Sequence, residues 1–316
     1  MTTISGNPKS FSPIGLGCWQ YDSSRWSAEQ DQTLLDTMDA ALAHGMDHFD
    51  TATGYGSGAS EKLVGRFLQG RRERVFVATK AGIQDENPQI MLASVKASLK
   101  RLNTDFIDLY YIHWPRSDLD IRPAMEGLEL ARAQGLVRAV GVSNFSVAQM
   151  ELVAQVGKID AHQIPHSLIW RAPEREILPY CQQRGIGVIA YGAMGYGILT
   201  GKFPRNPSFQ PEDDRSHRIL FFEEPTWGAI YAAVEQMKVV AQEAGRPLQH
   251  LAIRWSLAQP GIVCALAGAN SPAQVAQNAA ALEGELPAWA LDRLTAISEA
   301  LKKDIPAEAN PYRYEP

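Results

Sequence analysis

The chain is poor in cysteine, has little imbalance of charge and carries no long apolar run. Its three cysteines, Cys18, Cys181 and Cys264, lie far apart and form no CxxC pair. That argues against a disulfide framework or a zinc ribbon and suits a reducing compartment. Thirty basic residues against 35 acidic ones give a net charge of −5, with the two signs interspersed. Such a surface offers no electrostatic footprint for nucleic acid or an anionic membrane. No run approaches the length of a membrane-spanning helix. The opening residues MTTISGNPKS hold no apolar stretch of signal-peptide length, so a cytoplasmic location is expected. No metal is expected: His162 and His166 are four residues apart, but Pro165 and strand character keep them off one helical face, and no third ligand is obvious.

What is present is an ordinary globular composition, 45% hydrophobic and 21% charged over 316 residues. Eight short apolar runs punctuate it: IGLGCW (14–19), MDHFDTA (46–52), RVFVATK (74–80), FIDLYYIHW (106–114), VRAVGVSN (137–144), IDAHQIP (159–165), GVIAYGA (187–193) and IVCALAGA (262–269). Between them lie segments of helical periodicity, such as DQTLLDTMDAALAHG and NPQIMLASVKASLKRL. Several end in glycine, at Gly45, Gly135 and Gly185, where a helix stop favours a left-handed residue. Continuous rather than alternating hydrophobicity implies parallel strands buried on both faces. Eight β–α units predict a closed (β/α)8 TIM barrel, a single domain over 1–316 with no linker. A doubly wound sheet would normally show G-x-G-x-x-G after its first strand; GLGCWQ begins that pattern and lacks the third glycine.

A barrel gathers its chemistry at the C-terminal ends of its strands. The polar residues there are Asp50, Lys80, His113, Ser143, Asn144 and Gln163, with Tyr191 before the glycine closing the seventh run and Asn270 after the eighth. Tyr55 follows Asp50 by five residues, between Gly54 and Gly56. Singly, each has an ordinary explanation: Asp50 a turn former, Lys80 a solvated charge, His113 structural, Tyr191 core, Tyr55 packing. Their joint placement on one rim favours a reaction centre. A nearby cation would lower the pKa of a phenol and improve it as a proton donor. The residues therefore predict that Asp50 pairs with Lys80, that Lys80 tunes Tyr55, and that His113 orients a carbonyl oxygen or helps shuttle the proton.

The set of Asp50 and Tyr55 in DTATGYG, Lys80 in ATKAG and His113 in YIHW resembles the catalytic tetrad of the aldo-keto reductases. The resemblance continues through GVSNF (141–145), HQIPHSLIWR (162–171), VIAYGAMGYGILTGKF (188–203) and AGANSPAQVAQN (267–278), across nearly the whole chain and in order. It implies NAD(P)H bound without a Rossmann fold and reversible reduction of an aldehyde, ketone or sugar carbonyl. In that likeness Tyr55 protonates the oxygen while hydride leaves the nicotinamide C4.

By the same resemblance Ser143, Asn144 and Gln163 hold the nicotinamide carboxamide, and Tyr191 is the aromatic on which the ring stacks. GAMGYGILTGK, with Gly192, Ala193, Met194, Gly197, Leu199, Gly201 and Lys202, matches the loop over the pyrophosphate. It is no P-loop, because Tyr196 stands where a glycine is needed and Phe203 where Ser or Thr is needed. Gln274, Gln277 and Asn278, near the start of the last helix, match the adenosine end. Cys18, Trp19, Asp50 and Gly268 complete the expected cofactor set. Trp19, Tyr55, His113 and Trp114 form the expected substrate set.

Three positions depart from the pattern. Asn270 stands where many members have Lys or Arg for a 2′-phosphate, so NADP(H) is expected first and NAD(H) second. Gln277 replaces a frequent acidic residue. His166 replaces a frequent tyrosine and suggests a more polar floor beneath the nicotinamide. Arg215 and Arg218 could supply the missing charge, although a solvated loop cluster is the usual explanation. A cofactor-covering loop is expected over about 194–226 and a non-periodic tail over about 303–316, with Tyr312, Arg313 and Tyr314 either bordering the pocket or strapped to the barrel wall. Trp19, Trp114 and Trp227 suggest aromatic pocket walls, though core packing would explain any one of them. Monomer is the family default. Two other functions compete: an NADP-binding regulatory subunit of a partner protein with weak turnover, and a hydrolase using Asp50 and Glu61 as paired carboxylates.

Overall fold

The chain opens with a hairpin that its composition did not announce. Strands β1 (Thr2–Ile4) and β2 (Asn7–Phe11) pair antiparallel around Ser5 and Gly6. Gly6 has φ of +79°, and a Cβ there would stand 2.8 Å from the Asp160 carboxylate, so glycine meets both the turn and the close approach. Phe11 ends the hairpin fully buried, packed against Phe76 and His48. It plugs the end of the barrel away from the candidate site.

All eight apolar runs become barrel strands: β3 (Ile14–Gly17), β4 (His48–Asp50), β5 (Phe76–Ala81), β6 (Ile107–Ile112), β7 (Val137–Ser143), β8 (Ala161–Pro165), β9 (Gly187–Tyr191) and β10 (Ile262–Gly268). They run parallel in sequence order, and β10 closes on β3. The helices α1 (Ala28–Ala43), α2 (Ala59–Phe67), α3 (Pro88–Leu102), α4 (Arg122–Ala133), α5 (Val147–Val153) and α6 (Ile177–Arg184) alternate with them. Between β9 and β10 lie α7 (Thr226–Glu243) and α8 (Leu248–Leu257), and α9 (Pro272–Ala279) and α10 (Ala288–Leu301) follow β10. This computed structural model describes residues 1–21, 28–210, 213, 215, 217–306 and 310–312, so Arg313 and Tyr314 lie outside the described residues.

Local chemistry sets the helix ends. The Asn87 side chain accepts from Gln89 N at 3.0 Å with Pro88 in the first turn. Ser146 and Gln149 cap α5 reciprocally. Gly45, Gly135 and Gly185 all adopt positive φ after helices, as their spacing predicts.

Each strand sorts its side chains by parity. Val77, Tyr110, Ile112, Val140, Val142, Ile164 and Val188 belong to the large apolar cluster that also holds residues of α1 to α5. The alternate positions, Phe76 and Ala78, Leu109 and Tyr111, Ala139, Ala161, Ile189, Cys264 and Leu266, fill the barrel interior. Gly141 belongs to this inner set because a Cβ there would meet the Tyr111 ring at 2.5 Å. Continuing the inner parity toward the strand ends reaches Asp50, Lys80, His113, Ser143, Gln163 and Tyr191. The fold thus aims the predicted polar set into one mouth.

A second apolar cluster joins Ile198, Leu199 and Phe221 to Trp227 and the buried faces of α7, α8 and α10. The last helix is therefore α10, and Gln274, Gln277 and Asn278 lie on the helix before it.

Candidate active site

Asp50 is the last residue of β4 and is 2% exposed; Lys80, on β5, the next strand in the chain and its neighbour in the sheet, is fully buried. Lys80 Nζ donates to Asp50 Oδ1 at 2.5 Å, to the Thr51 carbonyl at 2.9 Å and to the Tyr55 hydroxyl at 3.3 Å. An ammonium has three protons, and three acceptors surround this one. Tyr55 therefore receives a bond from Lys80 and keeps its own proton for another partner. The Tyr55 ring stands edge-to-face with His113, centroids 5.8 Å apart, where the chain turns after β4 through left-handed Gly56 and Ser57.

The electrostatics overturn one expectation. Burial first, then the negative charge of Asp50, pushes the Tyr55 hydroxyl well above its ordinary pKa. Asp50 lies so close to Lys80 that the phenol faces an ion pair rather than a bare cation, and the lowering expected from Lys80 does not prevail. Asp50 itself is raised by burial, against the opposing effects of Lys80 and Gln163. His113 falls to about 3, through burial and then the nearby Lys80 charge. It is a neutral imidazole at physiological pH, which suits orienting a carbonyl through one N–H and rules against an imidazolium shuttle.

The predicted carboxamide set lies beside this centre and is bonded into it. Gln163 Nε2 donates to Asp50 Oδ2 at 2.8 Å. Tyr191 donates to Asn144 Oδ1 at 2.7 Å, and Asn144 Nδ2 donates to the His113 carbonyl and to Ser143 Oγ. Asn144 sits at φ +64°, with its own N–H on the Gln163 carbonyl. Its side chain ties the ends of β6, β7 and β9 together. Cys18 is buried behind Asp50, its backbone N–H on the Asp50 carbonyl at 2.8 Å.

Aromatic rings wall the mouth. Tyr312 of the tail stands edge-on to Trp19, Trp114 and Tyr196, at 6.2, 6.1 and 5.6 Å, and tilts toward Tyr191 at 6.3 Å. The Pro311 carbonyl accepts from Leu220 N, so this part of the tail borders the mouth. Tyr196 escaped the sequence reading as a site residue. It holds φ +57°, uncommon for an aromatic, and its hydroxyl is buried without a partner among the described residues. Two flanking glycines were the available signal.

The loop after β9 turns on Gly192, Gly195, Gly197 and Gly201, all at positive φ, with Lys202 exposed beside it. Ala193, Gly195 and Leu199 are buried, while Gly192, Met194, Gly197 and Gly201 are half-buried. At the far end Gln274 Oε1 accepts from Asn270 N at 2.8 Å, and Asn278 Nδ2 donates to the Gly268 carbonyl at 3.3 Å. These two side chains shape the turn. Gln277 lines a cavity of about 350 Å³ with Pro247, Gln249, His250, Ala276 and Ala280. Among the described residues no cluster of three or more His, Cys, Asp or Glu is placed to hold a metal.

Several candidates lie elsewhere. His166 points to the helix side, stacked on Trp255 at 5.3 Å and bonded to Glu174, because outer parity follows from His162 and Ile164. It forms no pocket floor. Trp227 is buried on α7 against Phe222 and donates to the Arg205 carbonyl, so it walls no pocket. Glu61 faces outward to Thr79 and Arg101, away from the barrel interior that holds Asp50, which removes the paired-carboxylate hydrolase. Arg215 is bidentate with Asp213 and lies over Phe203 and Phe209; Arg218 is exposed.

Comparison with known proteins agrees with this geometry. A profile of the Aldo/keto reductase family matches residues 13–299. The NADH-specific methylglyoxal reductase of Escherichia coli is 32% identical over 316 residues, covering 92% of this chain and 96% of that one. The solved glycerol dehydrogenase AKR11B4 from Gluconobacter oxydans superposes with a TM-score of 0.87 at 32% identity, covering 97% of both chains. An aldo/keto reductase from Klebsiella pneumoniae, solved with NADP and acetate, gives a TM-score of 0.75 at 28% identity, over 96% of this chain and 95% of that one. The chain belongs to the aldo-keto reductase family, and it is an oxidoreductase.

Proposed function

We propose that this aldo-keto reductase reversibly reduces a small aldehyde, ketone or sugar carbonyl with a nicotinamide cofactor, Tyr55 being the proton donor. The observation that carries the reading is the saturation of Lys80 by Asp50, Thr51 and Tyr55, which leaves the Tyr55 proton free to face the mouth. Neutral His113 donates one N–H to the carbonyl oxygen and holds it near Tyr55. Tyr55 then protonates the alkoxide, which is more basic than a phenolate, so the transfer stays downhill although the raised pKa makes Tyr55 a weaker acid. In oxidation Tyr55 must first lose its proton, and the same rise works against the reaction at neutral pH.

The donor set fits a nicotinamide dinucleotide. Ser143, Asn144 and Gln163 offer amide-compatible partners beside the Tyr191 ring, Lys202 offers a cation beside the glycine turn from Gly192 to Gly201, and the cavity at Gln277 has room for a base. When bound, the nicotinamide supplies or accepts the hydride. NADP(H) stands first, supported by the NADP-bound relative, and NAD(H) second, supported by Asn270 and by the NADH-specific relative. Trp19, Trp114 and Tyr312 present apolar ring surface to the substrate. Methylglyoxal and glycerol, from the names of similar proteins, make three-carbon carbonyls and polyols the first to screen.

The test is a fluorescence titration of the purified protein with NADPH and with NADH, followed by carbonyl reduction using the tighter one. Binding and turnover support the reading. Binding of neither cofactor would sink it.

A further inference from the structure

Gln163 does more than line the mouth: its amide is bonded to the carboxylate that balances Lys80. We infer that Gln163 is a positioning residue that sets the charge on Asp50, and so couples capture of the nicotinamide amide to the proton donor Tyr55. The inference rests on the reading of the site as a nicotinamide oxidoreductase.

The geometry leaves the amide one orientation. With Asp50 ionised its carboxylate only accepts, so the atom 2.8 Å from Asp50 Oδ2 is the Gln163 nitrogen, and Gln163 Oε1 points away from Asp50. Gln163 is 3% exposed in β8, registered against Ser143, with its carbonyl held by Asn144 N. The ladder fixes its backbone, and the bond to Asp50 orients its side chain. The two oxygens of Asp50 are thereby divided, Oδ1 to the ammonium of Lys80 and Oδ2 to the amide of Gln163.

Among the described residues, few groups face Asp50. Lys80 comes from β5, Tyr55 from the turn after β4, Cys18 from the end of β3, Tyr111 from β6, Cys264 from β10 and Gln163 from β8. Burial holds the two cysteines and two tyrosines in their neutral forms. Lys80 and the Gln163 N–H are therefore the two groups that favour an ionised Asp50, against the burial that favours a neutral one. Without the Gln163 N–H the balance moves toward protonated Asp50, which unmatches the Lys80 charge beside Tyr55. A primary amide that donates to Gln163 Oε1 acts in the opposite sense. It polarises the side-chain amide and strengthens the bond to Asp50.

The test begins on cofactor-free protein, following the Asp50 carboxyl by 13C NMR across pH in wild type and Gln163→Met. The variant keeps length and loses the donor, and its Asp50 midpoint should rise by about one pH unit or more. An unmoved midpoint would overturn the inference. A second measurement needs no variant. Wild type bound to the preferred dinucleotide should show a lower Asp50 midpoint than wild type bound to the 3-acetylpyridine analogue, which has no amide N–H; equal midpoints would also overturn it. In turnover, Gln163→Met should move the acid limb of kcat upward in pH. A rise in cofactor KM with the limb unmoved would make Gln163 an anchor alone and refute the coupling. Failure of wild type to bind any dinucleotide would instead defeat the functional reading, while the cofactor-free titration would still decide whether Gln163 governs Asp50.

Discussion

Three aspartates are buried at the ends of the barrel strands, and the two ends treat them differently. At the plugged end Asp108 accepts from Val77 N at 2.9 Å and from Arg72 at 2.7 Å, with Asn7 of the hairpin reaching it as well. Asp160 repeats the scheme with Val140 N at 3.0 Å and Arg132 at 2.7 Å. At the open end Asp50 has only side chains for its carboxylate oxygens, Lys80 and Gln163. A backbone N–H and a guanidinium cannot titrate away, so Asp108 and Asp160 are permanent staples between strands. Asp50 is held by groups that can themselves be engaged by a ligand. The same residue type serves architecture at one end and, in the proposed function, chemistry at the other, and its partners make the difference.

The sharpest way to break that comparison is at Tyr55. Tyr55→Phe removes the hydroxyl that Lys80 supports, and turnover should fall by about 10²–10⁴-fold with cofactor affinity and melting temperature nearly unchanged. Steady-state kinetics, cofactor titration and thermal melting together check this; retained turnover would take the chemistry away from the mouth network.

The complementary change is Asp108→Ala. Leaving Arg72 and Val77 N without their carboxylate should destabilise the protein by about 3–5 kcal/mol, with kcat per folded molecule unchanged. Urea unfolding and active-site titration give both numbers. A fall in kcat at unchanged stability would erase the distinction between the two ends.

A pH series sharpens the comparison further. Tyr55 is raised, so in the proposed role it stays a protonated donor below its pKa, and the base form that oxidation would need appears only above it. Oxidation should therefore climb by about tenfold per pH unit through the alkaline range, while reduction shows no loss from Tyr55 there. An oxidation rate that levels off below pH 8 would show Lys80 prevailing over burial and Asp50. The smallest effect lies at the rim, where Asn270→Arg should improve NADPH over NADH by about tenfold by pairing with a 2′-phosphate. Parallel titrations with both cofactors measure it.

Much of this was legible in the sequence because parallel strands buried on both faces write themselves as unbroken apolar runs. All eight were visible for that reason, and the residues closing them gave the mouth. The hairpin was not visible: β1 has three residues, β2 contains Pro8 and alternating burial, and only Ser5-Gly6 marked the turn. The pKa direction of Tyr55 was missed because sequence supplies neighbours but not depth. His166 was placed beneath the pocket by the family resemblance, and Trp227 beside it by its nearness to the expected rim loops. Parity turned one outward, and helix α7 buried the other in the second core.

That parity has a consequence for how the gene can change. One extra residue in β5 before Lys80 would present Lys80 to the helices and leave the mouth without its ammonium. Two extra residues would restore the facing but move it one layer along the axis. The loops carry no such phase, so a change of length near Tyr196, Asn270 or Tyr312 does not invert which side chains face the mouth. The proposed chemistry therefore rests on a frame that the strands must keep, while the rim residues that would tune cofactor and substrate lie on loops outside it.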